Sequence, residues 1–211
     1  MDKTKELQEI ATRIKNCQLC PLYQQATNFV AGQGNSSAQI VFVGEAPGYW
    51  EDQKGVPFCG ASGNLLDKLL KEINLERNQV FITNILKHRP PNNRDPQPPE
   101  IKACTPYLKE QLLIIEPKII ITLGRFAMNY FIPNVYISKT HGQLKRISWQ
   151  NLKLSLYPLY HPAAAFRRGE VMSQLRGDFL KIPQIIKDSE AQEKEEENKP
   201  PEVKTTQESL F

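Results

Sequence analysis

Apolar residues recur at Leu7, Ile10 and Ile14, the spacing of a short amphipathic helix that runs into the turn Cys17-Gln18-Leu19-Cys20-Pro21. Beyond it, four short runs at 40–43, 80–83, 119–123 and 154–159 are apolar almost throughout, β-branched or leucine-rich. Each ends at Gly, Asn or a Pro-containing turn, the pattern of strands buried on both faces. Helical patterns occupy the intervals, at about 62–74, 99–115, 124–131 and 172–187. This alternation predicts an α/β fold: a three-layer α/β/α sandwich around a central, mainly parallel four-stranded sheet. From 188 to 206 (DSEAQEKEEENKPPEVKTT) apolar residues nearly vanish, and the segment reads as a disordered acidic linker. The expected organisation is one domain over 1–187, a linker over 188–206 and a terminal peptide over 207–211, with no internal repeat.

Composition sharpens this picture in two ways. With 211 residues, 40% hydrophobic and 24% charged, the chain suits one soluble domain. Its start, MDKTKELQEI, lacks an apolar core, and the longest apolar stretch, LLIIEPKIIITL, is broken by Glu116, Pro117 and Lys118. Neither a secretory signal nor a membrane span is expected. The formal charge of +4 conceals a split: from Asp188 onward there are eight acidic and three basic residues, leaving 24 basic and 15 acidic before it. A basic body with an acidic tail points to an anionic partner for the body. Without secretion, four cysteines read as metal ligands or buried thiols rather than disulfides.

In an open parallel sheet, ligands bind at the carboxyl ends of the strands. Gly44-Glu45-Ala46-Pro47-Gly48 follows the first strand, Asn84 closes the second, Gly124-Arg125 follows the third and His161-Pro162 the fourth. Strand termination accounts for Gly124 but poorly for Glu45, Asn84 and His161, whose polar side chains need partners there. Cys17 and Cys20 form a C-x2-C pair, which His88 and Cys104 could complete. By residue type this suits a Cys3His zinc site first and an iron–sulfur cluster second. A third reading leaves Cys104 as a packed helix residue and His88 as a surface or phosphate-contacting histidine. Cys59, in a Gly-rich loop, reads as a buried thiol.

Taken in order, CQLCPL at 17–22, GEAPGYWEDQKGVPFCGASGNLLDKLL at 44–70, VFITNILKHRPPNNRDP at 80–96, ACTPYL at 103–108, PKIIITLGRFA at 117–127 and YHPAAAFRR at 160–168 resemble the family-4 uracil-DNA glycosylases. The likeness covers about residues 5–185. It implies hydrolysis of the N-glycosidic bond of deoxyuridine in DNA by base flipping, the opening step of base excision repair. It also implies a 4Fe–4S cluster, with zinc as the alternative, held by Cys17, Cys20, His88 and Cys104. His88 stands where most members have cysteine.

The resemblance assigns roles to the strand-end residues. Phe58 is the stacking aromatic, and Asn84 the reader of the uracil edge, accepting from N3–H and donating to O4, which cytosine reverses. His161 donates to uracil O2 as charge develops. Glu45, with Glu51 second, orients the attacking water or stabilises the sugar cation; Ala46 stands where family-1 enzymes carry aspartate. Main-chain N–H groups over 44–48, with Gly44, Ala46 and Gly48, help bind the base. Lys87, Arg89, Arg94, Arg167 and Arg168 grip phosphates, and Phe166 is the candidate wedge into the vacated stack.

The terminal Gln207-Glu208-Ser209-Leu210-Phe211 resembles the bacterial sliding-clamp peptide, commonly QLSLF, at the end of a linker that would span about 25 Å. The expected setting is therefore a monomer in the bacterial cytoplasm, associated with the nucleoid through DNA. Two rival classes stand beside the enzyme: a uracil-DNA binding protein with little turnover, and a metal-stabilised nucleic-acid-binding module.

Overall fold

A computed structural model describes residues 2–150 and 152–197. Its strands are β1 (Gln33–Gly34), β2 (Ile40–Gly44), β3 (Phe81–Asn84), β4 (Ile119–Leu123), β5 (Lys145–Trp149) and β6 (Leu152–Leu159). The helices are α1 (Lys3–Lys15), α2 (Tyr49–Lys54), α3 (Ala61–Glu72), α4 (Pro98–Ile115), α5 (Arg125–Phe131), α6 (Ile137–Thr140), α7 (Pro162–Ala165), α8 (Gly169–Phe179) and α9 (Ile182–Glu197). Sheet order is β1-β3-β2-β4-β6-β5. The inner four strands are mutually parallel, and the two edge strands are antiparallel to their neighbours.

All four apolar runs are therefore strands, but among the described residues the sheet has six, not the four expected. β1 is only two residues long, and β5 (KRISW) alternates between half-buried and exposed positions, so neither has the continuous apolar signature of an inner strand. Charged residues on β5 suit an edge that must not recruit another strand. Pro158 lies in β6 beyond the last residue paired with β5, so no ladder bond on that side needs its missing N–H.

The period of two along each inner strand sorts the core into two sheets of contact. Ile40, Phe42, Ile82, Ile119, Ile121, Leu123, Tyr157 and Leu159 face α3, α8 and α9, with Leu66, Leu69, Phe179 and Ile182 in the same cluster. Val41, Val43, Phe81, Ile120, Leu154 and Leu156 face α4 and α5, through Leu108, Leu112, Ile115, Ala127 and Phe131. Helix α1 packs outside α4 by Ile10 and Ile14, the predicted stripe. The expected helix over 172–187 is two helices; Pro183 sits at the second position of α9, where its absent N–H costs nothing. Helix α9 also continues to Glu197, so the first ten residues of the segment expected to be disordered are helical. The rest of that segment and the peptide over 207–211 lie outside the described residues.

Because β3 lies on one side of β2 and β4 on the other, successive connections diverge between β2 and β4. This is the switch point at which an open parallel sheet leaves a crevice at its carboxyl edge.

Candidate active site

A cleft of about 750 Å³ opens at that edge, walled by Glu45, Ala46, Gly48, Phe58, Asn84 and His161, with Arg94, Arg125, Arg167 and Arg168 also along it. The four strand ends singled out in the sequence thus contribute to one site.

At its floor, two side chains converge on a bare backbone. A β-carbon on Gly44 would stand 2.3 Å from Asn84 Oδ1 and 2.6 Å from the Phe58 ring. Any side chain there would displace both, so β2 must end in glycine. Asn84 is 1% exposed. Its Oδ1 is buried with no hydrogen-bond partner among the described residues. A buried unpaired carboxamide oxygen is costly unless a ligand pairs with it. The Phe58 and His161 rings face one another with centroids 5.7 Å apart.

Phe58 is held in the left-handed region at φ +49°, a conformation that a bulky residue pays to adopt. Its surroundings enforce it. Arg77 donates to the carbonyl oxygens of Pro57 and Phe58, each at 2.8 Å, and pairs with Asp67. Glu51 accepts from the main-chain N–H groups of Cys59 and Gly60, both at 2.9 Å. Gly63 lies so close beneath that a β-carbon would fall 1.7 Å from the Phe58 carbonyl oxygen. The sequence reading missed Arg77, because nothing in a lone surface-type arginine 19 residues downstream points to this loop.

Glu51, expected as a second catalytic carboxylate, is instead part of the frame. Its other oxygen accepts from Gly48 N–H at 3.1 Å, so that N–H is not free for a ligand. Glu45 differs. It is half-buried on the cleft wall, and burial, then the charge of Asp95, pushes its pKa up to about 7 against the pull of Arg125. His161 Nδ1 accepts from Ala163 N–H at 3.1 Å, which leaves Nε2 to carry the proton of the neutral ring. Burial, partly offset by Glu51, lowers the His161 pKa to about 4. Both shifts oppose folding. Glu45 lowers stability as pH rises from 4.5 to 7, and His161 lowers it as pH falls from 6.5 to 4. Groups held at such cost on one cleft mark a functional site.

The basic residues divide. Arg167 and Arg168 are exposed along the cleft, and Phe166 is 55% exposed beside them. Arg94 is committed to Glu100 by two bonds, at 2.5 and 3.0 Å, which tie the loop before α4 to its first turn. Arg89 donates to Asn93 Oδ1 at 2.7 Å. Lys87 is no phosphate contact: it is fully buried, and Nζ donates to Thr83 Oγ1, Gln111 Oε1, Asn84 O and Ala31 O at 2.7–3.2 Å. The basic run Lys87-His88-Arg89 hid this, since only the fold shows that its first residue turns inward.

Cys17, Cys20, His88 and Cys104 do meet, around a second, small cavity walled also by Ile14, Leu19 and Ala103. Lys87 N–H donates to Cys104 Sγ at 3.2 Å, and burial pushes that thiol up to about 11. All four cysteines of the chain are free. Among the described residues, no group of three or more His, Cys, Asp or Glu side chains is arranged to hold a metal ion. The four residues thus share a cavity without a finished coordination geometry. Cys59 is half-buried and lies apart, beside Glu51.

The sequence matches the family described as the Uracil DNA glycosylase superfamily over residues 31–181. The chain belongs to the uracil-DNA glycosylase superfamily. Superfamily relatives include proteins named Type-4 uracil-DNA glycosylase. The one from Sulfurisphaera tokodaii is 46% identical over 85% of this chain and 84% of its own length. That from Archaeoglobus fulgidus is 44% identical over 86% of this chain and 94% of its own. That from Thermotoga maritima is 43% identical over 87% and 96%.

The frame around Phe58 makes a stability prediction. Arg77→Met leaves two part-buried carbonyl oxygens unpaired and should destabilise the fold by about 1–3 kcal/mol. Urea denaturation measures the loss, and the Phe58 ring resonances should shift while those of Trp149, across the sheet, do not.

Proposed function

We propose that this chain is a uracil-DNA glycosylase that flips deoxyuridine out of DNA and hydrolyses its N-glycosidic bond, initiating base excision repair. The observation that carries the reading is the buried, unpartnered Asn84 carboxamide at the cleft floor, between the Phe58 ring and the strand end at Gly44. Its oxygen accepts from uracil N3–H and its amide donates to O4; cytosine offers the opposite pattern and leaves both groups unpaired. Phe58 stacks on the flipped base.

As the bond between uracil N1 and the sugar C1′ lengthens, negative charge gathers on the uracil ring and positive charge on the sugar. His161, neutral and protonated at Nε2, donates to O2, and such donors typically contribute 2.7–4 kcal/mol, roughly, to the transition state. Its low pKa is useful, since a neutral donor can stabilise the anion without ground-state protonation of the ring. The Glu45 carboxylate stabilises the sugar cation and orients water, whose oxygen forms the new bond to C1′ while its proton leaves to the carboxylate. Arg167 and Arg168 hold phosphates of the substrate strand.

The donor set at the second cavity, three thiols and a neutral imidazole behind apolar walls, fits an iron–sulfur cluster. Cys17, Cys20, His88 and Cys104 would hold a 4Fe–4S cluster, which would supply a structural cross-link between the turn after α1, the loop after β3 and α4. Zinc is the alternative occupant of the same donors. The segment Gln207-Glu208-Ser209-Leu210-Phe211 would dock an apolar Leu-Phe pair on a bacterial sliding clamp, keeping a monomeric enzyme on nucleoid DNA in the cytoplasm. Among the described residues no helix is long and apolar enough to cross a membrane.

The deciding experiment is a single-turnover assay on a U:G duplex with a thymine duplex as control. Base release at uracil alone is expected, and Asn84→Ala should lose about 100-fold or more; tight uracil-DNA binding without release would favour the binding-protein reading instead. The pH profile tests Glu45. The rate should climb with pH until about 7, where its carboxylate is formed, and Glu45→Gln should flatten that limb. Metal analysis of protein purified without oxygen should find iron and acid-labile sulfide in equal amounts, with Cys104→Ala losing both; zinc without sulfide would establish the alternative.

A further inference from the structure

Helix α2 sorts its side chains against their polarity. Its carboxylates, Glu51 and Asp52, are 9% and 2% exposed, whereas Tyr49 and Trp50 are 49% and 54% exposed. The inversion is not the result of a loose segment. Glu51 is bonded to three main-chain N–H groups, of Gly48, Cys59 and Gly60. Asp52 accepts from Thr27 and Asn28 N–H at 2.9 and 3.3 Å, and Asn28 Nδ2 donates back to the Asp52 carbonyl oxygen at 2.8 Å. The carboxylates anchor the helix in one orientation, and in that orientation the aromatics face solvent.

Those rings are also arranged. They meet edge to face with centroids 5.2 Å apart. Each carries a cation: the Arg89 guanidinium lies 5.1 Å from the centre of the Tyr49 ring, and Lys54 Nζ lies 6.0 Å from that of Trp50. Trp50 is part of the cleft wall, so the platform is continuous with the site that takes the flipped base. Two exposed rings set nearly at right angles, each with a cation against one face, offer a base an aromatic face and its phosphate a positive charge. An apolar protein groove would gain nothing from desolvating both cations.

We propose that Tyr49 and Trp50 form a stacking platform for the nucleobase adjacent to the target uracil in the same strand, and thereby favour uracil in unpaired DNA. The proposal rests on the glycosylase reading above. In single-stranded DNA the neighbouring base is free to leave its stack and settle on the rings. In a duplex it reaches them only by breaking a second base pair, so the platform does little there. Arg89 and Lys54 supply the sequence-independent part of the attraction, and the rings supply the preference for an unpaired base.

The test compares single-turnover rates of the full chain on three kinds of DNA. One is a single strand carrying uracil. The second is the same strand with a stable abasic analogue on either side of the uracil in turn, which removes a base but keeps its phosphate. The third is the U:G duplex. On the intact single strand, the Tyr49→Ala/Trp50→Ala variant should be slower by about 10-fold or more. Wild type should lose a similar factor when one neighbouring base is removed, and the variant should be indifferent to that removal. Duplex rates should differ by less than about 3-fold. The proposal is overturned if the variant matches wild type on the single strand, if the two losses multiply, or if duplex and single strand lose equally, which would make α2 only a wall of the cleft.

Tyr49→Phe/Trp50→Phe keeps both rings and should keep most of the rate. Should the alanine variant not fold, wild type on the abasic-neighbour strands decides, because a missing base then costs nothing if there is no platform. A wild type that releases uracil from no substrate would instead overturn the glycosylase reading. In that event, quenching of Trp50 fluorescence by a uracil-free single strand, absent in Trp50→Phe, separately reports the stacking.

Discussion

The buried carboxylate of Glu51 is the constraint around which the cleft is built. Its two oxygens gather main-chain N–H groups from the loop after β2 and from the loop after α2. Hydrogen bonds to a charged acceptor are roughly twice as strong as neutral ones, and three of them compensate the carboxylate for leaving water. The same three bonds set the direction of α2, the strained backbone of Phe58 and the distance of Phe58 from His161. With Arg77 holding the carbonyls of Pro57 and Phe58 from the other side, the Phe58 ring has little freedom. Preorganisation of this kind spends folding energy so that binding need not.

A second polar knot, around Lys87, lies behind the floor. Four oxygens surround its Nζ, and one is the main-chain carbonyl of Asn84. Four acceptors and no donor are what an ammonium needs, yet burial lowers its pKa to about 7. The same residue's N–H reaches Cys104 Sγ. One residue thus links the strand end that presents Asn84 to the cavity of Cys17, Cys20, His88 and Cys104, so that order in that cavity supports order at the cleft floor. A structural cross-link there would act on the site through packing, with no need to approach the reacting atoms.

The cleft is electrostatically asymmetric. The fixed frame is anionic and inward-facing, while exposed arginines and aromatic rings crowd the mouth. Several cations along it are already engaged, Arg94 by Glu100 and Arg125 by Asp95, and these shape loops more than they capture phosphate. That division explains how a basic body can hold a precise pocket. Paired arginines position the backbone, whereas Arg167 and Arg168, with no ion pair among the described residues, stand exposed along the cleft.

The layered fold and its polar strand-end edge are legible in the order of residues alone. Strands buried on both faces leave uninterrupted apolar runs, and Glu45, Asn84 and His161 are conspicuous because polar groups at such strand ends need partners. The roles proposed for them come from the family resemblance, since an isolated Asn, His or Glu has many ordinary uses. The edge strands β1 and β5 escaped notice because an edge is half solvated and may be very short. Helix α9 ran on past the expected boundary because charge density alone does not end a helix. Which polar groups are consumed is settled by the assembled fold. Glu51 and Glu45 sit six residues apart in one motif, yet one is locked to amides and the other faces the cleft. Lys87 and Arg167 look alike as basic residues, yet one points inward onto oxygens from β3, α4 and the loop at Ala31. Such outcomes depend on atoms that lie far apart in the chain and become neighbours only when the sheet is assembled.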